Sequence, residues 1–247
     1  MNAFLQGVTY NLKGLRLSLR TPRLLMLGLI RFVLLVIITA AAAAFVLFKY
    51  QDLLTVVWLR PESLWILWLW HVVSWLLALV LLGISAVVGF LVSQLLFSVF
   101  IMDMMSQITE RKITGAIKTI QVLPWYKHFF FLLRQEIPRA VLPVLISLAL
   151  LVSGWFTPLG PVLTIVTSLA AGIFLAWDNT DLTPARRMLP FPERFAFLRR
   201  HLGFHLGFGI LFLIPGLNIL LLSFAPVGAT LFHVEKIDPQ RNKGASG

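Results

Sequence analysis

One short segment near the end of the chain carries residue types that can bind an anion through the backbone. Pro215, Gly216 and Asn218 stand between the apolar runs 203–214 and 219–233. Because proline lacks a backbone donor and glycine loosens a helix, we expect one helix to end and another to begin here. The first N–H groups of a helix are free donors at the positive end of its dipole, which suits an oxyanion. Asn218 is placed either to cap the second helix or to offer its side-chain amide to the anion.

Two arginines beside the first apolar run are further candidates for anion contact. Arg31 lies inside the run 24–48, where a charged side chain costs roughly 2.5–3.5 kcal/mol on insertion scales. It must reach the membrane surface, pair with another group, or line an aqueous route. Arg23 directly precedes the run, where it can bind lipid headgroups or stand at the entrance of such a route. The candidate residues for an anion pathway are Arg23, Arg31, Pro215, Gly216 and Asn218.

A stripe of polar side chains follows the second long apolar segment. Asp103, Ser106 and Glu110 are spaced three and four residues apart, so they occupy one face of a helix. We expect this face to form helix–helix hydrogen bonds or to pair with Arg139. Proton coupling is the alternative use of the two carboxyl groups.

The remaining polar sets do not predict catalysis. His201 and His205 share a helix face, but no third ligand is near them in the sequence, so no metal site is predicted. Arg186 and Arg187 are expected to face lipid or another subunit. Asp181 stands in a fragment of a phosphotransferase-like pattern whose other residues are missing. We therefore predict no enzyme activity, no catalytic residues and no cofactor.

The composition predicts an integral membrane protein. Of 247 residues, 59% are hydrophobic and 13% are charged, against about a quarter charged in soluble domains. The mean hydropathy is +0.89. The formal charge of +11 comes from basic residues beside apolar runs, which indicates lipid headgroups and not nucleic acid as the partner.

Two long apolar segments are predicted to cross the membrane, since a spanning helix needs ~20 apolar residues. The run 24–48 meets this length, and we expect it to persist as a helix because it lacks the short core of a signal peptide. The run 64–102 exceeds one crossing. It predicts one protruding helix or two helices broken near Gly83 or Gly89.

Two further apolar segments are each split by proline and glycine. The residues Pro158, Gly160 and Pro161 divide the segment 141–177 as Pro215 and Gly216 divide 203–233. The arm 203–214 would extend only ~18 Å as a helix, which is too short to cross. Polar backbone at such turns is tolerated only inside protein or beside a water-filled cavity. Both segments therefore predict re-entrant hairpins.

The predicted fold class is all-α: a polytopic integral membrane protein with two long transmembrane helices and two Pro/Gly-broken, re-entrant (hemi-penetrating) helical hairpins. It forms a single membrane domain, 1–247. Its predicted segments are a basic cytoplasmic N-terminal arm 1–23, a transmembrane helix 24–48, a long transmembrane helix 64–102, cytoplasmic or interfacial helices 103–139, a helical hairpin 141–177, a cytoplasmic segment 178–202, a second helical hairpin 203–233 and a tail 234–247. Most of the 21 Lys and Arg then lie on one side, which predicts cytoplasmic termini.

Several short motifs follow one another in order along most of the chain. They are the helix of Asp103, Ser106 and Glu110, then Pro138-Arg139, Pro158-Leu159-Gly160-Pro161, the stretch 184–191, Phe208-Gly209, Ile214-Pro215-Gly216-Leu217-Asn218 and Gly228-Ala229-Thr230. Together they resemble the CysZ-type sulfate permease family. The resemblance implies a bacterial inner-membrane protein that assembles as a homo-oligomer and passes sulfate towards cysteine synthesis. That family carries paired arginines near the start of its first apolar helix, where counting from Pro22 gives Leu25 and Met26 in this chain.

The leading hypothesis is a sulfate or related oxyanion permease that does not itself hydrolyse ATP. Its expected partners are the oxyanion, membrane lipids and further copies of the chain. The missing paired arginines favour the alternative, a non-transporting membrane organiser or partner subunit of a transport or envelope complex. An intramembrane enzyme is the third hypothesis.

Overall fold

The computed structural model describes residues 2–57, 61–93, 99–117, 125–155 and 157–239, and the regular elements in these ranges are helices. The α-helices are α1 (Ala3–Leu19), α2 (Pro22–Val57), α3 (Leu64–Ser93), α4 (Val99–Thr114), α5 (Trp125–Trp155), α6 (Gly160–Thr180), α7 (Leu182–Arg186), α8 (Phe191–Arg200), α9 (Leu202–Ile210) and α10 (Asn218–Phe232). A 3-10 turn, Leu211–Leu213, extends α9, and a π-helical turn, His233–Ile237, extends α10.

Four helices are long and apolar enough to cross a membrane. These candidate spans are Pro22–Val56, Trp65–Ser93, Gly160–Arg186 and Asn218–Ile237. Most of the last one, 78%, is buried inside the protein, whereas the other three are mainly exposed. A helical multi-pass membrane protein is therefore confirmed. The re-entrant course of the two hairpins stays a prediction.

The chain divides into two compact units, and the prediction of a single membrane domain stays a prediction. The second unit, Arg31–Ser98, holds most of α2 together with α3. Within it the Tyr50 hydroxyl donates to the Ser74 carbonyl at 2.7 Å, and the backbone of Gly89 approaches that of Thr39. These two contacts run in opposite directions along the chain, so the helices are antiparallel.

The structure decides two of the predicted helix boundaries. Helix α3 continues through Gly83 and Gly89, so of the two predicted alternatives the unbroken course holds at both glycines. Glycine weakens a helix by about 1 kcal/mol, but in hydrocarbon the backbone has no other hydrogen-bond partner and stays helical. Helix α5 likewise starts at Trp125 and runs through Pro138, so the predicted interfacial segment and the first hairpin arm form one helix.

The first unit, Met1–Ile30 with Val99–Gly247, is built around helix α1. The sequence predicted only a basic arm here, but α1 packs against both α9 and α10. A Cβ on Gly7 would lie 2.2 Å from the Phe204 carbonyl oxygen, and one on Gly14 would lie 2.3 Å from the Gly228 nitrogen. Only glycine permits such close backbone approach.

Aromatic side chains fill the space beside these crossings. The rings of Phe204 and Phe232 stack with centroids 3.6 Å apart, and Tyr10 contacts both. Leu24 of α2 and Phe224 of α10 are buried in the same cluster. This core joins the two ends of the chain and holds the broken helix pair α9–α10 in place.

Candidate functional site

The break between α9 and α10 has the backbone that its sequence predicts. Ile214 is extended, and Gly216 has a φ of +81°, a left-handed conformation that favours glycine. Pro215 and Gly216 are both exposed. Helix α10 begins directly afterwards, with its first N–H groups at the turn.

Asn218 occupies the first position of α10. Its backbone N–H donates to the Ile214 carbonyl at 3.0 Å, and its Oδ1 accepts a hydrogen bond from the Ile219 N–H at 2.9 Å. The side-chain oxygen thus satisfies one terminal donor of the helix. Within the described residues the Nδ2 amide makes no hydrogen bond. The hydrogen bond of Oδ1 fits the expected capping role, and anion contact through Nδ2 stays a prediction.

The two candidate arginines differ in environment. Arg23 is exposed at the second position of α2 and belongs to the first unit. Arg31 belongs to the second unit, and only 4% of it is exposed, so its side chain is not extended towards water. Pro215, Gly216 and Asn218 share one turn, and the roles of all five candidates in anion passage stay predictions.

A buried group of charges lies elsewhere in the first unit. We call it the ionic cluster; its members are Asp103, Ser106 and Glu110 on α4, Arg186 and Arg187 at the end of α7, and Asp238 after the π-helical turn. Glu110 is fully buried and Arg186 is 3% exposed. Burying such charges is unfavourable unless they are paired and hydrogen-bonded.

Glu110 is the centre of this cluster. One carboxylate oxygen accepts from Arg186 Nη2 and the other accepts from Arg187 Nη2 at 2.8 Å. Arg186 Nη1 also donates to Ser106 Oγ at 3.0 Å. Arg187 reaches Asp238 with both terminal nitrogens, at 2.6 and 2.9 Å. The cluster therefore ties α4, α7 and the C-terminal segment together.

The cluster corrects one prediction and refines another. Arg186 and Arg187 are buried inside the protein, so their predicted lipid-facing or subunit-facing position is wrong. The polar stripe of α4 does form interhelical hydrogen bonds, as expected, but it pairs with these two arginines; the side chain of Arg139 lies outside the described residues. Burial alone would lower the pKa of Arg187, but its hydrogen bonds to Asp238 and Glu110 outweigh this and raise the pKa.

A second buried ion pair joins Arg194 to Asp181. Arg194 of α8 donates through Nε to Asp181 Oδ1 at 2.8 Å and through Nη2 to Oδ2, and both residues are fully buried. Two hydrogen bonds between one guanidinium and one carboxylate form the geometry in which arginine holds a carboxylate most firmly. The pair therefore joins α8 to the end of α6, where Asp181 lies. Next to Asp181 in sequence, Thr180 Oγ1 lies 2.9 Å from His205 Nε2.

Three histidines of this unit, His201, His205 and His233, gather around one aromatic ring. Phe197 lies 4.6 Å from His201, 5.5 Å from His205 and 6.1 Å from His233, between ring centroids. Among the described residues, no three His, Cys, Asp or Glu side chains converge as metal ligands would. The pair His201 and His205 is therefore accounted for by packing.

A cleft of about 440 Å³ opens between α1 and the C-terminal π-helical turn. It is lined by Gln6, Tyr10, Lys13, Glu235 and Lys236. The Tyr10 hydroxyl donates to Glu235 Oε2 at 2.8 Å. Burial raises the pKa of Tyr10 well above its usual range, and Glu235 raises it further. None of the five predicted anion residues lines this cleft.

Sequence reasoning missed two partners of the ionic cluster. Asp238 falls in the predicted tail 234–247, and Thr230, which donates to Ser106 Oγ at 2.9 Å, lies in a hairpin arm. The sequence carries no signal for either partner, because the need for more carboxylates follows only from the burial of Arg186 and Arg187, which the structure reveals.

The arrangement defines a class of protein: a multi-pass helical membrane protein whose apolar helices are interrupted and whose interior holds paired charges. Interrupted helices are typical of many transporters. Residues 10–232 match the family described as Sulfate transporter CysZ/Etoposide-induced protein 2.4, and the chain belongs to that family. The resemblance seen in the sequence motifs is thus confirmed. A search of curated proteins found no match.

Proposed function

We propose that this protein is a sulfate or related oxyanion permease of the bacterial inner membrane, supplying sulfate for cysteine synthesis. It belongs to a transporter family, which fits transport and not catalysis. The proposal includes a homo-oligomer with both termini in the cytoplasm. Its coarser part, a multi-pass membrane transporter, rests on the family and on the four candidate spans.

The observation that carries the proposal is the family match, which spans both interrupted helix pairs. At the second interruption, α10 begins beside the exposed Pro215 and Gly216. A doubly charged oxyanion must exchange its hydration for other donors without becoming trapped. The backbone N–H groups of Asn218 and Ile219 already have acceptors in the turn, so the Nδ2 amide of Asn218, at the positive end of the α10 dipole, is the donor that supports anion contact.

Sulfate entry into sealed vesicles that contain the purified protein is the direct test. Radioactive sulfate outside the vesicles is expected to enter faster than into empty vesicles, with no nucleotide present. Competition by unlabelled sulfate, phosphate and chloride then gives the selectivity. Entry no faster than into empty vesicles refutes the proposal.

A matched pair of arginine variants tests whether the pathway begins near α2. Arg23→Gln removes a candidate charge, whereas Arg199→Gln removes an equally exposed arginine on α8. We expect Arg23→Gln to raise the sulfate concentration for half-maximal flux and Arg199→Gln to leave it unchanged. Equal effects would show a general charge effect and remove Arg23 from the pathway.

The alternative, a non-transporting organiser of a membrane complex, has one specific observation in its favour. Met26, which stands where the family carries an anion-binding arginine, is exposed and apolar. An organiser would yield a stable complex with another membrane protein together with no sulfate flux. Flux with wild-type protein excludes it as the sole function.

A further inference from the structure

Helix α1 has two faces of different character. Its inner face consists of small and polar residues and packs against α9 and α10. On its outer side Leu5, Leu12 and Leu19 are 54%, 49% and 57% exposed. They are seven residues apart, so they form one line along the helix, two turns from one to the next. An exposed leucine line on a helix already packed on its other face needs an apolar surrounding.

A basic flank runs beside this leucine line. Lys13, Arg16 and Arg20 are exposed and are spaced three and four residues apart, so they too share one side of the helix. No acidic residue precedes Asp52 in the chain. Helix α1 therefore presents leucine and positive charge together, with no carboxylate of its own to neutralise the charge.

Helix α1 is the neighbour in sequence of a candidate membrane span. It ends at Leu19, and the candidate span Pro22–Val56 begins three residues later. Three peptide units extend at most ~11 Å, so the end of α1 stays within that distance of the start of the span. A helix next to a membrane span that carries an apolar line and a basic flank has the pattern of an interfacial helix.

We propose that the outer face of α1 lies in the headgroup layer and binds anionic phospholipid. The three leucines enter the boundary of the acyl chains, and Lys13, Arg16 and Arg20 bind the lipid phosphates. Charge complementarity selects this occupant: the face carries only positive charge, and an anionic leaflet attracts basic segments next to a membrane helix. Because the opposite face of α1 holds α9 and α10, lipid binding secures the broken helix pair at the membrane surface.

The chain contains no cysteine, so single cysteines can be labelled specifically. A fluorophore on Leu12→Cys in proteoliposomes of phosphatidylglycerol and phosphatidylcholine is expected to be quenched most by lipids with a headgroup spin label. Phe45→Cys, exposed within the candidate span, serves as the reference quenched most by lipids labelled deep in the acyl chain. Leu5→Cys repeats the measurement at a second position of the leucine line. Quenching at both α1 positions by a water-soluble agent alone overturns the proposal, as does disulfide cross-linking between copies, which would make the occupant a second chain.

The charge requirement is tested by the lipids that co-purify with the protein from the same vesicles. Wild-type protein is expected to be enriched in phosphatidylglycerol, and Lys13→Gln/Arg16→Gln/Arg20→Gln should lower this enrichment by about tenfold at low salt. Arg111→Gln/Arg199→Gln/Arg200→Gln removes three other exposed arginines and should retain it. Unchanged enrichment in the first variant, or equal loss in both, refutes the assignment. Neither readout depends on sulfate flux, so this inference and the proposed function fail separately.

Discussion

Gly14 of α1 and Gly228 of α10 meet backbone to backbone. A Cβ on Gly14 would stand 2.3 Å from the Gly228 nitrogen, and one on Gly228 would stand 2.4 Å from the Tyr10 carbonyl oxygen. Neither neighbour is the movable end of a side chain, so the helices themselves must separate to admit a methyl group. The N-terminal helix is therefore an integral part of the C-terminal helix pair.

Gly14→Ala is expected to destabilise the protein. Overpacking of this kind costs about 1–3 kcal/mol because the backbone must shift. Gly83→Ala is the matched control, since a Cβ on Gly83 of α3 meets nothing within 4 Å. Thermal unfolding in detergent should show a lower midpoint for Gly14→Ala and an unchanged or higher midpoint for Gly83→Ala. Equal midpoints would contradict the close packing of α1 on α10.

Glu110→Gln should be among the most damaging single changes in the described part of the chain. It removes the charge that bridges Arg186 and Arg187 and leaves them only Asp103 and Asp238, and removing one partner of a buried ion pair costs up to about 3–5 kcal/mol. Glu193→Gln, at an exposed position of α8, makes the same chemical change without a buried partner. Limited proteolysis and thermal unfolding compare the two variants. If Glu110→Gln unfolds like wild type, the ionic cluster does not hold the helices together.

Asp181 and Arg194 should behave as one energetic unit. Either single change to leucine takes the two-fold ion-pair partner away from a buried charge, whereas the double change removes both charges. Directly paired residues commonly show interaction energies of about 0.5–3 kcal/mol in double-mutant cycles. We expect the double variant to be more stable than the sum of the single effects predicts. Strict additivity would argue against the pair.

Asn218 variants separate helix capping from anion contact. Asn218→Asp keeps an oxygen to accept from the Ile219 N–H but loses the amide and adds negative charge. It should retain the unfolding midpoint while sulfate flux falls. Asn218→Ala loses both functions and should lower both. Flux at the wild-type level in Asn218→Asp would restrict Asn218 to capping.

Tyr10 gives the protein a pH dependence at the alkaline end. The folded state raises the pKa of Tyr10 above its unfolded value of 10.0, so the folded state favours the protonated phenol. Its contribution is complete below pH 10.0 and is lost as the pH rises further. Tyr10→Phe should lower the midpoint at pH 8 by removing the hydrogen bond to Glu235, worth about 1.5–3 kcal/mol for a charged acceptor. Between pH 8 and pH 11 the wild type should lose more stability than this variant.

The membrane fold and its two interruptions could be predicted because they follow from local composition. Apolar length gives the spans, and proline with glycine gives the break before Asn218. Continuity through Gly83 could not be decided from the sequence, because glycine weakens a helix in water, whereas in hydrocarbon the backbone has no competing hydrogen-bond partner. The glycine is the same in water and in hydrocarbon, and the surrounding solvent decides whether the helix continues through it.

Partnership between distant segments was harder to predict. The stripe on α4 was visible as a helical face, but Arg186 and Asp238 come together with it only through the tertiary fold. In the sequence, an arginine beside an apolar run gives the same pattern whether its side chain faces lipid headgroups or a buried carboxylate. The burial of Arg186 and Arg187 could therefore not be separated from surface exposure by sequence alone.

The packing of α1 also has a consequence for biogenesis. The Asn11 amide donates to the Phe208 carbonyl at 2.9 Å across 197 positions of the chain. Helix α1 leaves the ribosome long before α9 and α10 exist, and contacts this distant in sequence form late. Helix α1 must therefore wait without its partners until α9 and α10 have been synthesised.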